Sequence, residues 1–296
     1  MLDLFNAGLH RYLKRPLTYV CCAVSLICGL MYVISSVDVK DGTFLPDDGY
    51  FIFSIIANAV LCIMNIGTEF SSGVIGNKIS SGHKKHVVYL SEVLITALIS
   101  TIMFCLTAVP FVSYHIAFLH KMAHLKLSLA LIYTAYVSIS IMIVFICFIT
   151  ANRTASAIIG GLLLFGISYI GYTTADVLNE PEFLLKYHQA NGDYFFVAGD
   201  MPGVEEMDIV KITQENNPDY IRGVQRGIVT VIHDCDPFIS INSFMSYCYC
   251  TNYSEELHEY EEDHHSEMLR CEASMCIVSL LITISGALSF KKKNLK

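Results

Sequence analysis

The sequence predicts an all-α polytopic membrane protein with six transmembrane helices. An amphipathic N-terminal helix precedes them, and a mixed, largely helical outer domain separates spans five and six. Three observations carry this. The chain has 296 residues, of which 54% are hydrophobic and only 16% charged. A soluble domain carries about 25% charged residues, and the mean hydropathy here is +0.51. Second, six stretches approach the roughly 20 apolar residues that cross a bilayer core. Third, Lys and Arg gather at alternate span ends.

Residues 1–16 open the chain. Leu2, Phe5, Leu9, Tyr12 and Leu13 recur at helical spacing, with Asp3, His10, Arg11 and Lys14 between them. That pattern suits a helix lying on a membrane surface, and Pro16 is expected to break it. The first span is Leu17–Val37 and holds no charge. Its length and the absence of a small-residue cleavage site point away from a cleaved signal peptide. No lipidation motif is expected either.

Tyr50–Ile66 is the second span. Residues 67–86 then form a polar loop in which Phe70, Val74, Ile75 and Ile79 keep a helical period, with Gly82 as a natural stop. The spacing of its Gly and Lys residues does not fit a phosphate-binding loop. Val93–Ser113 is the third span, Leu127–Thr150 the fourth and Ala155–Tyr172 the glycine-rich fifth. Ala273–Phe290 is the sixth. The chain thus divides into 1–172, an acidic segment 173–271, and 272–296.

Charge fixes an expected orientation. Arg11, Lys14, Arg15, Lys78, Lys84, Lys85, Arg153, Lys291, Lys292, Lys293 and Lys296 fall on one side. The positive-inside tendency puts that side, with both termini, in the cytoplasm of a multi-pass cell-membrane protein. The whole chain carries −8. Residues 173–271 hold 19 Asp and Glu against 5 Lys and Arg, a net of −14, and the remainder is +6. An acidic chain has no basic face for phosphates, so nucleic acid is not an expected partner.

Within 173–271, Asn217-Pro218-Asp219 reads as a helix start. Ile221, Val224, Ile228, Val231 and Ile232 then make an apolar stripe. Phe238–Cys250 is apolar but too short to span, and it lies on the outer leaflet or dips into it. Ser254-Glu255-Glu256 opens a polar helix running into the sixth span. Cys235, Cys248, Cys250 and Cys271 allow a disulfide in an oxidising exterior, or stay free thiols. His258, His264 and His265 among acids match no zinc spacing, and a solvated acidic face explains them as well. No metal is expected. Asn58 and Asn65 share one face of the second span and either line a pathway or pack between helices.

The stretch Ile66-Gly67-Thr68-Glu69-Phe70-Ser71-Ser72-Gly73-Val74-Ile75-Gly76-Asn77-Lys78-Ile79, followed by Gly82-His83 and Tyr89-Leu90-Ser91, resembles the coupling segment of type-2 ABC exporter permeases. The similarity is to the Gram-positive branch. Asn217-Pro218-Asp219-Tyr220-Ile221 with Gly223 and Arg226, and the tail Phe290-Lys291-Lys292-Lys293-Asn294-Leu295-Lys296, resemble further motifs of that branch. Asp236-Pro237-Phe238 departs from its usual continuation.

The resemblance implies a permease subunit that holds no cofactor and is not itself an enzyme. A separate ATP-binding subunit, with ATP and Mg, supplies the energy. A second permease subunit pairs with this one as homo- or heterodimer, within the lipid bilayer. The N-terminal helix becomes an elbow. Gly67, Thr68, Glu69, Phe70, Gly73, Asn77, Lys78 and Gly82 become the ATPase interface, with Glu69, Thr68 and Phe70 as its main contacts. The substrate path runs along the first, second and fifth spans. The competing reading is a membrane sensor or immunity protein that uses the outer domain as a binding module without transport. A polytopic membrane enzyme is a third reading, for which the chain offers no catalytic constellation.

Overall fold

The computed structural model describes residues 1–37, 49–118, 125–189, 194–197, 209–238 and 258–293. Among them, six helices are long and apolar enough to cross a membrane, so the chain is a multi-pass membrane protein. Two compact units are formed, Met1–Ser168 with Asp234–Lys296, and Tyr169–His233.

In the first unit, α1 spans Leu2–Lys14 and α2 Pro16–Val37. The break between them is at Arg15, whose extended backbone is what a following proline enforces. Pro16 itself is the first residue of α2, where its missing N–H costs nothing. Helix α3 spans Gly49–Ser71, α4 Val74–Ser80, α5 Lys85–Phe118 and α6 Leu125–Thr150. Helix α7 runs Arg153–Asn179, its residues from Tyr169 on belonging to the second unit, and is capped by Asn152, whose Oδ1 accepts from the Thr154 and Ala155 N–H groups.

Helix α5 is the centre of this unit. It packs against α1, α2, α3, α4 and α6, and against the final long helix His258–Lys292. The face of α2 carrying Val20, Val24, Ile27, Met31 and Ile34 is exposed, as is that of α7 carrying Ile158, Leu162, Phe165 and Tyr169. Apolar side chains on the outside of a spanning bundle meet lipid or another subunit rather than water.

The second unit holds strands β1 (Phe183–Gln189), β2 (Tyr194–Val197) and β3 (Ile209–Asn216). They form an antiparallel sheet in the order β2-β1-β3, with Tyr187 opposite Phe195 and Ile212. Helix α8 spans Val224–Asp234 and the last helix, His258–Lys292, is α9.

The helix start expected at Asn217 is not one. The Asn217 amide donates to Glu180 Oε2 and to the Pro181 carbonyl, each at 2.9 Å, and so ties the end of β3 to the approach to β1. Its Oδ1 accepts from the Asp219 N–H at 3.0 Å, which makes a turn. Gly223 takes a left-handed φ of 60°, and α8 begins only after it. The three strands were not located from the sequence. The start proposed at Ser254–Glu256, the thiols of Cys248 and Cys250, and Phe238–Cys250 beyond Phe238 lie outside the described residues. So do the side chains of His258 and His264.

Candidate functional site

Charged side chains from α1, α3, α4 and α5 meet at one end of the first unit. Glu69 on α3 accepts from Arg11 Nε at 3.0 Å and from Lys78 Nζ at 2.8 Å. Lys78 also reaches Glu92 Oε1 on α5 at 2.6 Å. Glu69 and Glu92 are 0% exposed and Lys78 7%. Two cations face two carboxylates, so the cluster is neutral as a group. That balance lets it stay buried, because an unpaired buried charge costs several kcal/mol.

Local geometry aims these groups. Gly73 adopts a φ of 72°, which closes α3 and starts α4 at a new angle. Helix α4 has seven residues, and its Ile75 and Lys78 point inward while Gly76 and Asn77 are exposed. At its far end Gly82 takes a φ of 94°. The His83 N–H reaches the Lys78 carbonyl and the Gly82 N–H that of Ile79, at 3.3 and 3.0 Å. This is the glycine-closed helix end known as a Schellman motif, so Gly82 stops the helix as expected. The result is a short rigid helix with an anchoring side and a bare side.

Neighbouring groups extend the cluster. Arg15 Nη1 donates to Asn65 Oδ1 at 2.7 Å and to the Asn65 carbonyl at 2.9 Å. Tyr12 is fully buried beside the acids. Burial, with the Glu92 charge second, pushes its phenol well above the usual tyrosine range. Arg11 Nη2, the Tyr12 hydroxyl, Asn65 Nδ2 and Glu92 Oε2 have no hydrogen-bond partner among the described residues.

Of the residues read as a partner interface, only some face outward. Gly73, Asn77 and Gly82 are exposed, as are Ser71 and Ser72 just before them and Gly76, Ser80 and Ser81 between them. Glu69 and Lys78 are inside, bonded to each other, so Glu69 offers a partner no carboxylate. Gly67 is buried against the start of α7, where an added Cβ meets the Arg153 Cα at 3.1 Å. Thr68 Oγ1 donates back to the Met64 carbonyl at 2.5 Å.

Phe70 turns into an aromatic group that the sequence did not reveal. Its ring lies 5.1 Å from Phe148, which lies 4.7 Å from Phe290 and 5.1 Å from Tyr89. Lys293 Nζ, just after Phe290, donates to the carbonyls of Phe148 and Ile149 near the end of α6, and Lys85 donates to the Lys293 carbonyl. A cation on the free carbonyls of a helix end is favourable. Burial lowers the Lys293 pKa from its ordinary value.

Asn58 and Asn65 do share a face, with Ser54 and Glu69, but it is the packed one. Asn58 Nδ2 donates to Ser100 and Ser140, both at 2.9 Å, and those hydroxyls are 2.6 Å apart. The opposite side of α3 carries Ile52, Ile56, Val60 and Ile63. With Gly161 and Leu164 of α7, among others, they line an apolar cavity of about 310 Å³. Ser168 and Phe238 also line it, and neither Asn58 nor Asn65 does. Cys235 and Cys271 are free thiols.

No protein-family model, curated protein or solved structure matches the chain.

Proposed function

We propose that this chain is the permease subunit of an ATP-driven ABC exporter in the cell membrane, with both termini cytoplasmic. A separate ATP-binding subunit hydrolyses ATP and docks on α4. The observation that carries this reading is the two-sidedness of α4. One side is held by buried ion pairs to α3, α5 and, through Glu69, α1. The other side is bare, small and polar. A push on the bare side therefore moves α3 and α5 together as a rigid body, which is how domain closure becomes a tilt of spans.

Relative to the resemblance, the roles divide. Gly73, Asn77 and Gly82 belong to the docking face, while Glu69 and Lys78 transmit. The apolar cavity between α3 and α7 lies between the second and fifth spans, where the resemblance places the substrate path. Its lining suits an apolar or amphiphilic substrate. A second copy or a related permease completes the path.

Affinity purification from native membranes tests this. The expected result is a co-purified protein carrying phosphate-loop motifs at about equal stoichiometry, with ATPase activity. Purification of the chain without any such subunit overturns the proposal. That outcome leaves the sensor reading, in which the sheet-bearing unit is a binding module.

A further inference from the structure

Two lysine runs far apart in the chain meet at one end of the first unit. Lys84 and Lys85 stand at the start of α5, and Lys291, Lys292 and Lys293 at the end of α9. The Lys85 ammonium donates to the Lys293 carbonyl, which ties the runs together across 208 positions. The Lys293 ammonium in turn donates to the Phe148 carbonyl at 3.2 Å and to that of Ile149, at the end of α6.

These bonds place charge without cancelling it. Both ammonium groups end on neutral carbonyls, while Lys84, Lys291 and Lys292 are exposed. Among the described residues, none of the five lysines makes an ion pair. The buried carboxylates at this end, Glu69 and Glu92, are already held by Arg11 and Lys78. The first turn of α5 carries no acid, although that helix end disfavours positive charge. The ends of α6 and α9 supply only about half a negative charge each, so most of the positive charge is left for an anion from outside the chain.

The level of the cluster says where that anion comes from. The uncharged run Ala273–Phe290 stops immediately before Lys291, and the hydrogen bonds bring the α5 start and the α6 end to the same height. Basic residues at span ends lie among the lipid headgroups, and basic pockets between spans on that side of a membrane hold anionic ones.

We infer that Lys84, Lys85, Lys291, Lys292 and Lys293 form a binding site for the headgroup phosphate of an anionic phospholipid, in the leaflet at this end of the spans. Lys85 and Lys293 are its fixed base, and the exposed lysines close on the phosphate. The inference stands on the meeting of the two runs and on their missing counter-charge, and does not depend on the transport reading.

Native mass spectrometry of the full-length chain in a non-ionic detergent tests it, with phosphatidylglycerol and phosphatidylcholine of identical acyl chains as probes. Lys292→Gln and Lys14→Gln remove the same charge, each from an exposed position. Wild type is expected to prefer phosphatidylglycerol. Lys292→Gln is expected to weaken phosphatidylglycerol binding about fivefold, as for one lysine at an anionic surface, and to leave phosphatidylcholine unaffected. Lys14→Gln is expected to change neither. Equal weakening by both variants overturns the inference, because the attraction is then diffuse and not a site. No preference in wild type overturns it as well. Displacement of phosphatidylglycerol by excess inorganic phosphate overturns the choice of lipid. Loss of a co-purifying protein from Lys292→Gln, with phosphatidylglycerol binding intact, overturns it too, because the lysines then hold protein.

Discussion

Lys78 Nζ stands 2.6 Å from Glu92 Oε1 in a buried contact between α4 and α5. The same nitrogen holds Glu69 at 2.8 Å. One lysine therefore bonds two carboxylates from two different spans, and the short helix that carries it is fixed to both.

Removing that lysine leaves Glu92 unpaired while Glu69 keeps Arg11. Lys78→Met is expected to destabilise the chain by about 3–5 kcal/mol, the usual cost of breaking a buried ion pair. Adding Glu92→Gln removes the orphaned charge and restores much of the loss. Thermal unfolding in detergent reads both. A double variant as unstable as the sum of the single ones contradicts the pairing, since coupled sites are not additive.

Tyr12 presents the opposite case. Its hydroxyl is buried without a hydrogen-bond partner among the described residues, and such a group costs about 1–3 kcal/mol. Tyr12→Phe is expected to leave the unfolding temperature unchanged or raise it. A clear fall shows that the hydroxyl is satisfied.

Asn58 separates packing from pathway. Asn58→Leu removes the hydrogen bonds to Ser100 on α5 and Ser140 on α6, whose hydroxyls keep each other and a carbonyl of their own helix, with an expected loss of about 0.5–1.5 kcal/mol per bond. The range of exported substrates is expected to stay the same, because Asn58 faces away from the α3–α7 cavity. Altered substrate preference at unchanged stability returns Asn58 to the pathway.

Phe290 sits at the meeting of α3, α6 and α9. Phe290→Ala is expected to cost about 3–5 kcal/mol as a large buried aromatic is lost. Lys293→Met, which removes only a partly exposed contact to the α6 end, is expected to cost far less. Equal losses in unfolding experiments contradict this ranking.

Much of the membrane part was legible because uncharged runs leave few alternatives. The end of α4 was legible too, since Gly82 announces it. The charge cluster was not. Glu92 lies at the head of a span, where an acid usually reaches water, and only the fold of α4 back onto α5 puts Lys78 beside it. The resemblance made Glu69 a partner contact, yet it falls on the packed face shared with Asn58 and Asn65. The strands were obscured by short runs such as Ile209-Val210-Lys211-Ile212-Thr213, where the polar alternation is weak. In α8 the apolar stripe was visible, but not its exposure, with Arg226 turned instead to the Leu178 carbonyl.

The central claim is that α4 has one face for a partner and one for the spans. Asn77 is exposed while Lys78 beside it turns inward to the cluster, so Asn77→Arg probes the first face alone. The measurement is the ratio of ATP-binding subunit to this chain after purification, taken with the unfolding temperature. The expected result is loss of the subunit at an unchanged unfolding temperature. A full complement of subunit on the Asn77→Arg chain contradicts the claim.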